Sequence, residues 1–141
     1  MLKYQSMLAQ AQVRFLNNKD FDIYGNIVDM NLVKGKNVVL FFSDKCGACK
    51  SFTPVFNSLA KQNLKGVNIC AVSVGDNPDL MDRIDKVFPF TVPFVPTVVS
   101  YDGRGYYSTY DYGMDEEEQF RTLPDLLEYT KGIGKAPIQY K

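Results

Sequence analysis

The stretch Val38–Ala60 reads Val-Val-Leu-Phe-Phe-Ser-Asp-Lys-Cys-Gly-Ala-Cys-Lys-Ser-Phe-Thr-Pro-Val-Phe-Asn-Ser-Leu-Ala. Val38 to Phe42 is an apolar run of residues that favour strands, and it stops at the polar pair Ser43 and Asp44. After Cys46-Gly47-Ala48-Cys49, apolar residues recur at Phe52, Val55, Phe56 and Leu59. That is the i, i+3, i+4, i+7 spacing of one helix face. The order is therefore buried strand, short turn, Cys-x-x-Cys, amphipathic helix. Cys46 falls at the helix start, where unpaired N–H groups and the helix dipole favour an anion.

The thiolate is the nucleophile of thiol–disulfide exchange, and a helix N-terminus favours it. Cys49 shares a helix face with Cys46, three residues on. The first turn can hold a disulfide between them without large backbone movement, and the bond closes a very short loop. Such a bond adds little to stability and reverses readily, which suits a redox catalyst better than a staple.

The segment resembles the active-site stretch of the thioredoxin superfamily. Pro54, five residues after Cys49, sits where thioredoxins carry a proline that kinks this helix. Val95-Pro96-Thr97 is similar to the family's cis-proline loop, with a hairpin over Val98 to Tyr110 behind it. The resemblance covers roughly Asn37 to Ile133 and implies an α/β thioredoxin fold, a mixed central β-sheet flanked by helices on both faces. It implies one thioredoxin-like domain over residues 1–141: a lead-in over 1–36, a core over 37–133 and a tail over 134–141. It also implies a thiol–disulfide oxidoreductase in which Cys46 attacks, Cys49 resolves, and the two form a redox-active disulfide. Val95 and Pro96 would bind the substrate backbone. Gly47 and Ala48 would tune the pair, as would Lys45 and Lys50 if their charges favour the thiolate; either lysine is otherwise a solvated surface residue. The implied partners are disulfide-containing or dithiol proteins and a redox partner such as a reductase. No metal and no organic cofactor are required, and no carboxylate-binding site for glutathione is evident.

The departures are specific. Thioredoxins usually read Trp-Cys-Gly-Pro-Cys, whereas this chain has Lys45-Cys46-Gly47-Ala48-Cys49 and no Trp at all. Phe42, Phe90 and Tyr112 are candidates for the missing aromatic docking surface. The family's buried aspartate falls on Leu40, and its partner lysine on Ala71. Loss of both together is consistent, because one alone would leave a buried charge unpaired. Lys45 and the missing acid are expected to make the pair more oxidising than thioredoxin, with water or Asp44 moving the Cys49 proton. The same departures keep open a second class, a thioredoxin-like binding or structural module with slow exchange.

Composition bounds the rest. The 141 residues are 45% hydrophobic and 13% aromatic, which fits a packed globular chain. Sixteen basic and sixteen acidic residues leave no net charge, which disfavours nucleic acid. No apolar run is long enough for a bilayer, and no secretory signal is expected, so the expected setting is reducing and cytoplasmic. Three cysteines and no histidine rule out Cys–His and Ser–His–Asp catalysis and a zinc site built from Cys and His alone.

Along the chain, Tyr4 to Leu16 has loose helical spacing that Asn17 to Asp20 would end. Phe21 to Val33 reads as a short strand or irregular packing, and Lys34 to Asn37 as a turn. The lead-in is read as extra packing on the sheet, not a partner-binding arm. The helix after Cys46 is expected from about Ala48 to Gln62, and a strand over Val67–Val74, with Cys70 an inert buried residue. Asn77 would cap a helix whose first position is Pro78. Phe88 to Pro96 reads as an extended loop, whose Phe88–Phe94 part falls near the substrate groove and either shapes specificity or fills the sheet edge. Thr97–Tyr101 and Tyr106–Tyr110 form the hairpin around Asp102-Gly103-Arg104-Gly105. Asp115–Glu118 is a surface turn, and the last helix spans about Thr122–Lys131. The aromatics over Tyr106–Tyr112 leave self-association open.

Overall fold

The computed structural model describes residues 8, 12–29, 32, 34–86, 95–103, 107–110 and 122–133, without the side chains of residues 48, 50 and 85. The expectations for Phe88–Phe94, Asp115–Glu118, Tyr112 and the tail fall outside these residues.

The sheet is built on β2 (Lys36–Phe42). Successive side chains of a strand point to opposite faces. Val38, Leu40 and Phe42 enter one apolar cluster and Val39 and Phe41 the other. A strand buried on both sides needs apolar residues at every position, which is why this run shows no alternation. β2 pairs in parallel with β3 (Val67–Ser73) and antiparallel with β4 (Thr97–Tyr101). β1 (Arg14–Phe15) lies outside β3, and β5 (Tyr107–Thr109) outside β4, giving the order β1-β3-β2-β4-β5.

Helices α1 (Gly47–Ala60) and α3 (Leu123–Lys131) cover one face through Phe52, Phe56, Leu59 and Leu126. Helix α2 (Pro78–Lys86) covers the other through Leu80 and Ile84. Leu16, Phe21, Ile27 and Leu32 of the lead-in join that second cluster. Arg83 of α2 ties the two parts together. Its Nη1 donates to the Asp22 carbonyl at 3.0 Å, and its Nη2 to the carbonyl and Oδ1 of Asn18 at 3.0 and 2.8 Å.

Four expectations are corrected. The helical spacing does not carry through Val13–Leu16: Arg14 and Phe15 pair in parallel with Cys70 and Ala71, and Leu16 N donates to the Ala71 carbonyl at 2.9 Å. The extended preference of Val13 and Phe15 and the open edge of β3 outweigh a loose helical period. The sheet therefore begins before residue 37. Lys36 and Asn37 are strand, not turn. Asn37 is buried because its amide donates to the Leu32 and Gly35 carbonyls and accepts from Asn68. Asn77 starts α2 through its carbonyl, which accepts from Met81 N. Its side chain instead accepts from Asn18 N and donates to the Ser73 carbonyl. Phe42 is fully buried and offers no docking surface.

The hairpin strands sit where expected, within a residue at each end. Gly103 has φ +82°, and a Cβ there would lie 3.0 Å from the Gly35 carbonyl oxygen, so this turn packs directly on the loop before β2. Tyr110 is half-buried and its ring lies 4.9 Å from that of Tyr129 on α3.

Candidate active site

Ser43 ends β2 and shapes the turn that presents Cys46. Its Oγ accepts Lys45 N at 3.1 Å, and its carbonyl accepts Cys46 N at 3.1 Å. Such a hydroxyl-to-backbone turn is what a serine directly after a strand can form. Cys46 is the N-cap of α1, with φ −91° and ψ 120°. Its Sγ accepts the Cys49 N–H at 3.1 Å, where an Asp or Ser oxygen ordinarily caps. On its other side the same thiol donates to the Val95 carbonyl at 3.2 Å. The Val95–Pro96 peptide is cis, with Val95 half-buried and Pro96 buried. Two distant parts of the chain thus meet at one sulfur.

Cys46 is partly exposed and Cys49 is 1% exposed, and both carry thiols. The difference separates an accessible sulfur from a sheltered one on the next turn. Lys45 is exposed, beside Cys46. A Cβ at Gly47 would meet no described atom within 4 Å, so the surface next to Cys46 is open there. Lys50 and Ala48 are in α1, but their side chains lie outside the described residues. Below the pair, Leu40 and Ala71 are register partners on β2 and β3, both fully buried in the cluster that holds Cys49.

Cys70 lies in the opposite cluster and is fully buried. Burial pushes its thiol up to about 12, only partly opposed by Arg14, which is the inert core cysteine expected from its strand context. Among the described residues, no group of three or more Cys, Asp or Glu side chains is placed to hold a metal ion. Among them too, no helix is long and apolar enough to cross a membrane.

A parallel strand–helix–strand unit, a dithiol at the helix N-terminus and a facing cis-proline loop define a dithiol protein of thioredoxin-like fold. The thioredoxin family model matches residues 12–123. A thioredoxin of Staphylococcus saprophyticus is 32% identical over 77 residues, covering 54% of this chain and 68% of that protein. Chloroplastic thioredoxin z superposes with a TM-score of 0.63 at 17% identity, covering 88% of this chain and 96% of that one. The J-Trx1 fragment of ERdj5 superposes with a TM-score of 0.61 at 17% identity, covering 89% of this chain but only 55% of that fragment. The chain belongs to the thioredoxin family. At the family level this implies thiol–disulfide oxidoreductase activity, and the close cysteine pair is in keeping with it.

Proposed function

We propose that this protein exchanges disulfides with protein substrates through Cys46 and Cys49. The observation that carries the reading is the position of the Cys46 sulfur, which takes the Cys49 N–H on one side and faces the Val95 carbonyl on the other. The Cys46 thiolate attacks a substrate disulfide, forming a mixed disulfide and releasing one substrate sulfur as thiolate. Cys49 then loses its proton and attacks the Cys46 sulfur, which breaks the mixed disulfide and frees the second substrate sulfur. Two electrons pass to the substrate, and the Cys46–Cys49 pair is left oxidised. The N–H donated to Cys46 supports negative charge on that sulfur whenever it is the attacking or leaving group.

The Val95 backbone lies against the attacking sulfur, where an extended substrate segment can pair with it. Disulfide-containing or dithiol proteins are thus the substrates, and a reductase or similar redox partner resets the pair. A reducing, cytoplasmic compartment suits a reversible pair in a chain whose third cysteine is buried. The direction of net exchange follows the potential of the pair: about −270 mV makes a reductase, and about −180 mV or higher an oxidase or isomerase.

The test is reduction of insulin disulfides with dithiothreitol as donor. The wild type should accelerate it, Cys46→Ser should abolish the acceleration, and Cys49→Ser should accumulate protein trapped as mixed disulfide. A wild type no faster than dithiothreitol alone would leave the second reading, a binding module. The fully apolar Leu40–Ala71 pair is the observation that favours that reading.

A further inference from the structure

Four serine and threonine side chains lie inside the described helices; Ser51 is exposed, and two of the other three bond back to the preceding turn. Ser58 Oγ donates to the Pro54 carbonyl at 3.1 Å, and Thr130 Oγ1 to the Leu126 carbonyl at 2.8 Å. Such back-bonding is the usual fate of Ser and Thr within a helix. Thr53 departs from it. It is fully buried, and its Oγ1 has no hydrogen-bond partner among the described residues. One turn on, the Oδ1 of Asn57 is also buried with no partner among them. A buried polar atom left unsatisfied is costly, so two on adjacent turns of one helix call for a shared explanation.

Position supplies it. Cys49, Thr53 and Asn57 are spaced i, i+4, i+8 and follow one face of α1. Side chains at i and i+4 have Cβ atoms roughly 5–6 Å apart, a span that one water bridges with two hydrogen bonds. A hydroxyl that can donate or accept, one helical turn from an amide oxygen that accepts, offers a water complementary partners. Asn57 is half-buried, so its end of the stripe reaches towards solvent, while the Cys49 end is closed.

We propose that Thr53 and Asn57 hold a buried water on the Cys49 face of α1, and that this water takes up the Cys49 proton as the mixed disulfide is resolved. The inference rests on the exchange reading above. The Cys49 S–H gives its proton to the water, which passes it towards solvent at Asn57. The sulfur's freed electron pair forms the Cys46–Cys49 bond. The bond from Cys46 to the substrate sulfur breaks, and that sulfur leaves with its pair. Thr53 and Asn57 are positioning residues, since neither touches a reacting sulfur in this account.

The experiment uses the reduced 141-residue chain and dithionitrobenzoate in stopped flow. Attack by Cys46 releases the first thionitrobenzoate, and resolution by Cys49 releases the second. Thr53→Val keeps the shape and removes the hydroxyl. It should slow the second release roughly tenfold, less than the about 10²–10⁴-fold of a positioned acid–base side chain, and leave the first unchanged. Thr53→Ser should restore the second release, and Asn57→Leu should slow it. Melting gives an independent reading: with a water held there, Thr53→Val lowers the Tm, whereas a dry pair of oxygens makes valine neutral or stabilising. An unchanged second release in Thr53→Val overturns the proposal whatever the Tm does. A wild type that gives no second release overturns the proposal together with the exchange reading. A wild type that gives both, with a variant that matches it, overturns the water alone.

Discussion

Truncation of Arg83 tests how much its tie between α2 and the lead-in contributes to stability. Three hydrogen bonds from one guanidinium reach Asn18 and Asp22. A hydrogen bond to a charged group contributes about 1.5–3 kcal/mol when well buried. Arg83 is only half-buried, and its long side chain gives up rotamer freedom to hold three acceptors. The sum is accordingly discounted to about 2–3 kcal/mol for Arg83→Ala, a large share of the roughly 5–15 kcal/mol expected in total. With a urea slope of about 1–3 kcal/mol/M, the midpoint should fall by about 0.7–3 M. The chain has nine Tyr and no Trp, so tyrosine fluorescence and far-UV circular dichroism are the two probes, and their transitions should stay coincident. Arg83→Lys should recover less than half, because an ammonium cannot fork between Asn18 and Asp22. The pH dependence carries a sign. Burial alone would raise Asp22, but the N–H groups of Asn26 and Tyr24, the Asn26 amide and Arg83 hold it below its ordinary 3.8. That stabilisation is complete above the ordinary value and is lost as the pH falls through the lowered one, so the Arg83→Ala deficit should narrow in acid. A deficit below about 0.5 kcal/mol at neutral pH, the range of an ordinary surface substitution, would refute the reasoning and leave the lead-in held by β1 and its buried apolar residues, not by Arg83.

Two further outcomes follow from single positions. Cys70 should stay unmodified by dithionitrobenzoate in the folded protein and react once the chain is unfolded in urea. Because burial raises its thiol from 9.0 to about 12, folded stability should decline across that interval as the unfolded thiol ionises first, and Cys70→Ala should flatten the decline in a pH series of urea melts. Gly103→Ala places a Cβ at φ +82° and 3.0 Å from a backbone oxygen, a strain of about 2 kcal/mol that should lower the Tm by about 5 °C in a thermal melt; an unchanged Tm would mean that the Gly35 loop yields freely.

What was readable in the chain was what local physics decides. Val38–Phe42 could only be a strand buried on both faces, and the Cys46-to-Leu59 spacing could only be a helix with Cys46 at its start. The same holds for the hairpin, where Asp102-Gly103 supplies the positive φ. The failures came where a distant partner decides. Val13–Leu16 has no strong period of its own, and the free edge of β3 selects strand. Asn37 looks like a turn residue until Leu32, Gly35 and Asn68 satisfy its amide. Asn77 carries a capping side chain, but Asn18 and Ser73 compete for it and win. Thr53 and Asn57 gave no signal at all, since a buried oxygen without a partner is visible only once the surrounding side chains are placed.

The floor of the site shows how one substitution constrains another. Leu40 and Ala71 face each other across the β2–β3 ladder, both with no exposed surface. A carboxylate at residue 40 alone would be a buried charge facing a methyl group, and a lysine at residue 71 alone would be no better; either costs more than a loss of packing. With both positions apolar, neither leaves a buried charge unpaired. The sheet then supplies packing to Cys49 and no titrating group from these two positions. Helix α1 supplies polar oxygens instead, at Thr53 and Asn57, on the flank that Cys49 shares. With the water proposed above, a proton released by Cys49 would leave along the helix that carries the cysteines and would require no charge at residues 40 and 71.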